Sequence, residues 1–182
     1  MQNPESRRGL QFTCGAILVL LLCGFSYVYF DRLAINYFLA ADPHAVNIFR
    51  YVTELGDALY PLLAGGLLYL FCRLRQRRIL SGETALILER WKQRGLFLFL
   101  AVASSGLLVD LLKFLFGRAR PTKLLTENLY GFSLFEFSSK MHSFPSGHSN
   151  TAVATALVLW YLWPKSWPIG LLLAGGVVLS RV

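Results

Sequence analysis

The chain reads as all-α, a polytopic transmembrane helical bundle with five spans present, and three features lead there. Hydrophobic residues make up 55 % of its 182 positions and charged residues 15 %, where a soluble domain carries about 25 % charged. Several apolar runs approach the roughly 20 residues needed to cross a bilayer, and the mean hydropathy is +0.50. The basic residues are also unevenly placed. Of 18 Lys and Arg, seven (Arg73, Arg75, Arg77, Arg78, Arg90, Lys92, Arg94) share one connection with only Glu83 and Glu89, which marks it as cytoplasmic. The length suits one domain, 1–182, with no internal repeat, low-complexity tract or flexible linker.

The spans follow in order. Leu10 to Phe30 is uncharged and follows Arg7-Arg8. Ser6-Arg7-Arg8 hints at a twin-arginine signal, but the apolar run is too long for a cleaved signal and no small-residue cleavage site follows. It is expected to be an uncleaved first helix with a cytoplasmic N-terminus. Asp31 to Asp57 is a polar connection with Asp31, Asp42, Glu54 and Asp57 against Arg32 and Arg50. A second span runs from about Ala58 to Cys72. The arginine-rich connection follows, its middle, Ile79 to Trp91, suited to an amphipathic helix along the surface. Gly95 to Phe116 is the third span and a long loop leads to Phe144. The fourth span starts at Pro145-Ser146-Gly147-His148 and reaches Trp163. Lys165 lies in a tight, tryptophan-flanked turn, and Pro168 to Leu179 is a short fifth span. Alternating these spans puts Lys165 inside and the segments around Lys113, Pro145 and Ser180 outside.

A net charge of +8 would suggest nucleic acid in a soluble protein. Here the basic residues flank membrane segments, so orientation and anionic lipid account for them, and nucleic acid is excluded as a partner. Cys14, Cys23 and Cys72 all lie in apolar runs, where a thiol behaves as a small hydrophobe. Neither a disulfide framework nor metal-ligand spacing is present, so no metal and no cofactor is expected.

Three short segments carry chemistry. Lys113 and Arg120 are seven apart, about two helical turns, so both fit one side of the third span's exit. Pro121 disfavours helix at Arg120. The bland alternative pairs Lys113 with Asp110 and leaves Arg118 and Arg120 as interfacial anchors. In the second segment Pro145 suits a turn, and Gly147 lets a ligand approach the backbone. Free amides at the helix start form an anion site. Ser146 can donate from its hydroxyl and His148 can donate a proton near neutral pH. A capped helix start with an incidental histidine explains the same tetrapeptide. Ser180-Arg181 alone is an unremarkable interfacial end.

Together these segments resemble the type-2 phosphatidic acid phosphatase and vanadium haloperoxidase superfamily, in its membrane branch. That pattern is Lys, six residues, Arg-Pro; then Pro-Ser-Gly-His; then Ser-Arg, five residues, His, three residues, Asp. Lys113, Arg120 and Pro121 match the first element, and Pro145 to His148 match the second. Ser180 and Arg181 begin the third. The resemblance implies a metal-independent phosphatase in which Lys113, Arg120, Ser146, the Gly147 amide and Arg181 hold the phosphoryl oxygens. Pro121, Pro145, Ser180 and Arg118 would support them. His148 would protonate the leaving oxygen as general acid, while a third-motif His attacks phosphorus and an Asp orients it. Neither is among the 182 residues, and neither His142 nor His44 matches the nucleophile's position. Six spans are expected in a complete family member. The chain is therefore expected to be a piece cut short at its C-terminal side, and inactive as it stands.

The substrate class implied is a lipid phosphate: phosphatidate, phosphatidylglycerol phosphate, undecaprenyl diphosphate or a lipid A phosphate. Tyr130, Phe132, Phe135, Phe137 and Phe144 in the outer loop would guide a lipid chain or simply pack against helices. Thr53 to Asp57 falls on the same face and would line the entrance, or cap a helix through Asp57. The expected location is a bacterial inner membrane with the site facing the periplasm. Alternatives are a noncatalytic lipid-phosphate binder, a transporter or structural bundle, and a vanadate-dependent oxidase, for which membrane spans are uncharacteristic.

Overall fold

A computed structural model describes residues 4–30, 33–34, 37, 43–77, 82–120, 127 and 129–181. Pro121 lies outside them, as do Asp31, Arg32, Asp42, Arg78 and Val182. Among the described residues six α-helices follow in chain order: α1 Pro4–Tyr29, α2 Pro43–Glu54, α3 Leu59–Gln76, α4 Glu83–Phe116, α5 Gly147–Leu162 and α6 Trp167–Leu179. Among the described residues there is no strand, and the one isolated bridge joins Arg118 to Phe132.

The chain divides into two units, Met1–Val46 and Asn47–Val182. The first carries α1, whose Leu18, Leu21, Leu22 and Phe25 are all more than half exposed. Beyond Arg8 the helix is uncharged, and apolar residues facing outward along Gly9–Tyr29 are made for lipid rather than water.

In the second unit, two expectations change. The polar connection before the second span contains α2, because Val46, Phe49 and Val52 recur at helical spacing. With α3 it makes a 30-residue apolar stretch, Asn47–Gln76. Of the surface helix expected over Ile79 to Trp91, Ile79 to Ser81 lie outside the described residues, and Glu83 to Trp91 are the beginning of α4, which runs unbroken for 34 residues. No proline interrupts it. Its polar first turns pair with the end of α3: Glu89 accepts from Gln76 Nε2 (2.9 Å) and from Lys92, and Lys92 also donates to Gln76 Oε1 (3.1 Å).

Small residues set the helix contacts. A Cβ on Gly65 of α3 would stand 2.8 Å from the Gly95 carbonyl of α4, and one on Gly95 would stand 2.8 Å from the Gly65 carbonyl. Close approach of this kind is how membrane helices gain packing without a hydrophobic driving force. Ser105 of α4 accepts from Asn150 Nδ2 of α5 at 3.1 Å, and Gly170 of α6 lies against Ala156 of α5. Val102, Val177 and Cys72 are nearly fully buried, while Leu107 and Leu172 face outward. Gly9–Tyr29, Asn47–Gln76 and Glu83–Phe116 are long and apolar enough to span. The fourth and fifth expected spans, α5 and α6, have 16 and 13 residues and are shorter.

Candidate active site

One end of the second unit gathers the ends of five helices, α2 to α6. α4 stops at Gly117, whose positive φ of +49° forms a left-handed cap with its N–H bonded to the Lys113 carbonyl. This puts Lys113 in the last turn. Its ammonium donates to Asp110 Oδ1 at 2.8 Å, and the Lys113 side chain is 19 % exposed against 73 % for Asp110. The bland pairing is thus real, but not the whole story. The same nitrogen stands 3.3 Å from where a Cβ on Gly147 would sit, so the first segment closely approaches the second where residue 147 has no side chain. One bond to Asp110 also leaves two ammonium protons for another acceptor.

Ser146 caps α5, its Oγ accepting from the Ser149 amide at 3.4 Å and its carbonyl from the Asn150 amide at 3.1 Å. A hydroxyl that accepts in a cap keeps its own proton to donate elsewhere. At the first helical turn the Gly147 and His148 amides have no intrahelical carbonyl to bind. His148 is half-buried. The charges of Arg181, Asp57 and Lys113 all act on its ring, so the beginning of the third segment shares the neighbourhood of the other two. Arg181 is exposed, just past the end of α6, with its amide bonded to the Val178 carbonyl.

The stretch before α3 has a larger part than an entrance. Asp57 Oδ1 does cap α3 by accepting from the Leu59 amide at 2.9 Å. Gly56, however, lies directly beneath His148: a Cβ there would stand 2.8 Å from the His148 carbonyl and 3.0 Å from its Cβ. Thr53 bonds Ser180 at 2.8 Å.

Arg120 takes a different position. It is exposed, its Nε donates to the Ser139 carbonyl at 3.1 Å, and its amide bonds the Lys140 carbonyl. It therefore shapes the loop between α4 and α5 here rather than joining Lys113. The Arg118 carbonyl receives both the amide and the hydroxyl of Ser143. His142 Nε2 contacts the Glu136 carbonyl at 2.7 Å, which occupies the ring in the loop. The loop aromatics pack as a cluster: Phe114 meets Phe135 and Phe137, and Phe144 meets Phe116 and Phe132. Sequence reasoning overlooked Ser105 and Asn150, which tie α5 to α4 two residues after His148. Polar residues inside apolar runs are the signal that marks them.

A helical membrane bundle whose phosphate-type motifs converge at one end defines a class, and the sequence comparisons agree with it. Residues 94–182, from within α4 onward, match the PAP2 superfamily. The chain is similar to the lipid A 1-phosphatase of Rhizobium johnstonii, 42 % identical over 71 residues, covering 39 % of this chain and 29 % of that protein. The lipid A 1-phosphatase of Rhizobium etli is 41 % identical over 71 residues, 39 % of this chain and 31 % of that protein. The matched region is thus under a third of these relatives' length. No solved structure matches the chain.

Proposed function

We propose that this chain carries the phosphate-holding part of a lipid phosphatase that works at the extracytoplasmic face of a bacterial inner membrane. The observation that carries this reading is the close approach of Lys113 to Gly147 at the start of the helix that bears His148, with Arg181 near enough for its charge to act on the His148 ring. Two cations, a helix start and a proton donor around one point suit a phosphoryl group, whose transfer depends on stabilising charge on its oxygens. In this reading Lys113, Arg181, the Ser146 hydroxyl and the Gly147 amide hold the oxygens. Arg120 joins them on binding by leaving the Ser139 carbonyl, and Ser180 and Pro145 keep the two helix ends in place. An imidazole supplied by a third-motif His attacks phosphorus, the ester P–O bond breaks, and His148 protonates the departing oxygen. Water then releases phosphate from the phosphohistidine.

The outer placement rests on the opposite end of the bundle, where Arg73, Arg75, Arg77, Arg90, Lys92 and Arg94 collect. Among lipid phosphates, the names of the matched relatives favour the 1-phosphate of lipid A. The 182-residue polypeptide itself holds no attacking histidine at the family's position and is expected to bind without turnover.

Phosphate release from lipid A 1-phosphate in mixed micelles tests this. The 182-residue protein should release none while retaining the lipid. The same protein extended to place His six residues after Arg181, and Asp four beyond that, should release phosphate and lose at least about 100-fold in rate with His148→Ala. Release by the 182 residues alone would refute the nucleophile assignment. Retention of lipid with no release by the extended protein would favour a noncatalytic binder instead.

A further inference from the structure

The other end of α4 and α5 carries a second charged hollow that the phosphatase reading does not use. Arg90, Gln93, Arg94 and Phe97 of α4 and Tyr161 and Leu162 of α5 line a cavity of about 260 Å³. One of them, Arg94, stands beside a pair of indoles, with its guanidinium carbon 5.0 Å from the Trp91 centroid and 5.1 Å from the Trp163 centroid. The two indoles are themselves 5.9 Å apart. The three groups form a triangle, and a guanidinium resting against aromatic rings keeps N–H donors for an anion. Arg90 adds a second cation. Glu89, the nearest acid in sequence, is engaged by Lys92, Gln76 and Gln93. Among the described residues no carboxylate forms an ion pair with Arg90 or Arg94.

Position points to the kind of anion. Arg94 and Lys113 are 19 residues apart on one helix, about 28 Å at 1.5 Å per residue, close to the ~30 Å hydrocarbon thickness. The hollow therefore lies at headgroup level in the leaflet opposite the candidate active site. Trp91, Trp163 and Tyr161 are the residue types that occupy that level. Phe97 and Tyr161, stacked at 5.5 Å, are 42 % and 76 % exposed and offer an apolar wall toward the acyl region. The volume falls below the ~300–1,000 Å³ of pockets for drug-sized ligands, so it admits a headgroup and not a whole lipid.

We propose that this hollow binds the phosphodiester of an anionic phospholipid, with Arg94 and Arg90 on the phosphate and the chains running past Phe97 and Tyr161. The site is noncatalytic and independent of the phosphatase reading.

The test is lipid retention by the purified 182-residue protein, read by native mass spectrometry after exposure to micelles containing phosphatidylglycerol or phosphatidylcholine. Wild type should keep one phosphatidylglycerol per chain and little phosphatidylcholine. Arg90→Gln/Arg94→Gln should lose about tenfold or more of it, at roughly a factor of five per basic residue. Because Arg94 also rests against two indoles, the exposed Arg90→Gln alone provides a variant that keeps that contact, and it should lose severalfold. Lys113→Ala/His148→Ala should keep the adduct. Equal retention by the arginine variants, equal retention of phosphatidylcholine, or loss of the adduct in the Lys113/His148 variant would each overturn the proposal. Displacement by millimolar inorganic phosphate would overturn the lipid assignment in favour of a free anion.

Discussion

Thr53 and Ser180, 127 residues apart, share a hydrogen bond of 2.8 Å between their hydroxyls. Its direction follows from a second bond, in which Ser180 Oγ donates to the Val177 carbonyl at 2.7 Å. Ser180 has one proton and has used it, so Thr53 is the donor. The serine that opens the third motif is thereby tied to the segment lying under His148.

Replacing Thr53 by Val should therefore cost about 1 kcal/mol, the net value of a part-buried hydrogen bond. Thr53→Ser should recover most of it. Thermal unfolding in detergent, with retention of a lipid phosphate alongside, reads both effects. Identical midpoints for the Val and Ser variants would show that the bond contributes nothing.

Gly56 offers a sharper case. A methyl there meets Val177 Cγ1 at 2.7 Å as well as the His148 backbone, and neither neighbour is the loose end of a long side chain. Gly56→Ala should cost roughly 1–3 kcal/mol as overpacking does, and should weaken phosphate binding by displacing His148. Gly66→Ala is the control, since its nearest atom is Phe99 Cδ2 at an ordinary 3.6 Å; it should be near neutral in both assays.

Gly117 and Gly147 separate stability from binding. A methyl at Gly117 would run into the Ser133 carbonyl, at a residue whose φ is already positive, so Gly117→Ala should sharply destabilise the end of α4. A methyl at Gly147 meets only Lys113 Nζ at 3.3 Å, the mobile tip of a long side chain. Gly147→Ala should leave the unfolding midpoint within a degree or two while weakening retention of a lipid phosphate, because the ammonium must move.

The Lys113–Asp110 pair has one exposed partner, and such pairs are worth about 0–1 kcal/mol. A phosphate should compete successfully for the lysine. Asp110→Asn is expected to leave lipid-phosphate binding unchanged or tighter, whereas Lys113→Ala should weaken it by about tenfold or more, a loss of the size expected for a charge-assisted hydrogen bond. Equal loss in both variants would mean that Asp110 positions the lysine.

Local pattern carried much of this protein. The helical membrane class, the starts of α5 and α6 and the motif segments around Lys113, Ser146 and Ser180 follow from hydropathy, prolines and short spacings, all of which act between near neighbours in the chain. The same locality explains two misjudged elements. A polar connection hid α2, whose apolar positions are sparse, and a cluster of charges before Arg94 suggested a separate surface helix where α4 simply continues.

Tertiary structure decided what touches what. That Lys113 rests against Gly147, that Gly56 lies beneath His148, that Thr53 holds Ser180 and that Arg120 turns to the Ser139 carbonyl are relations between segments far apart along the chain. No periodicity encodes them. They arise when glycines and other small residues let several helix ends approach within a few ångströms, a condition set by packing in three dimensions rather than by any residue's own preference.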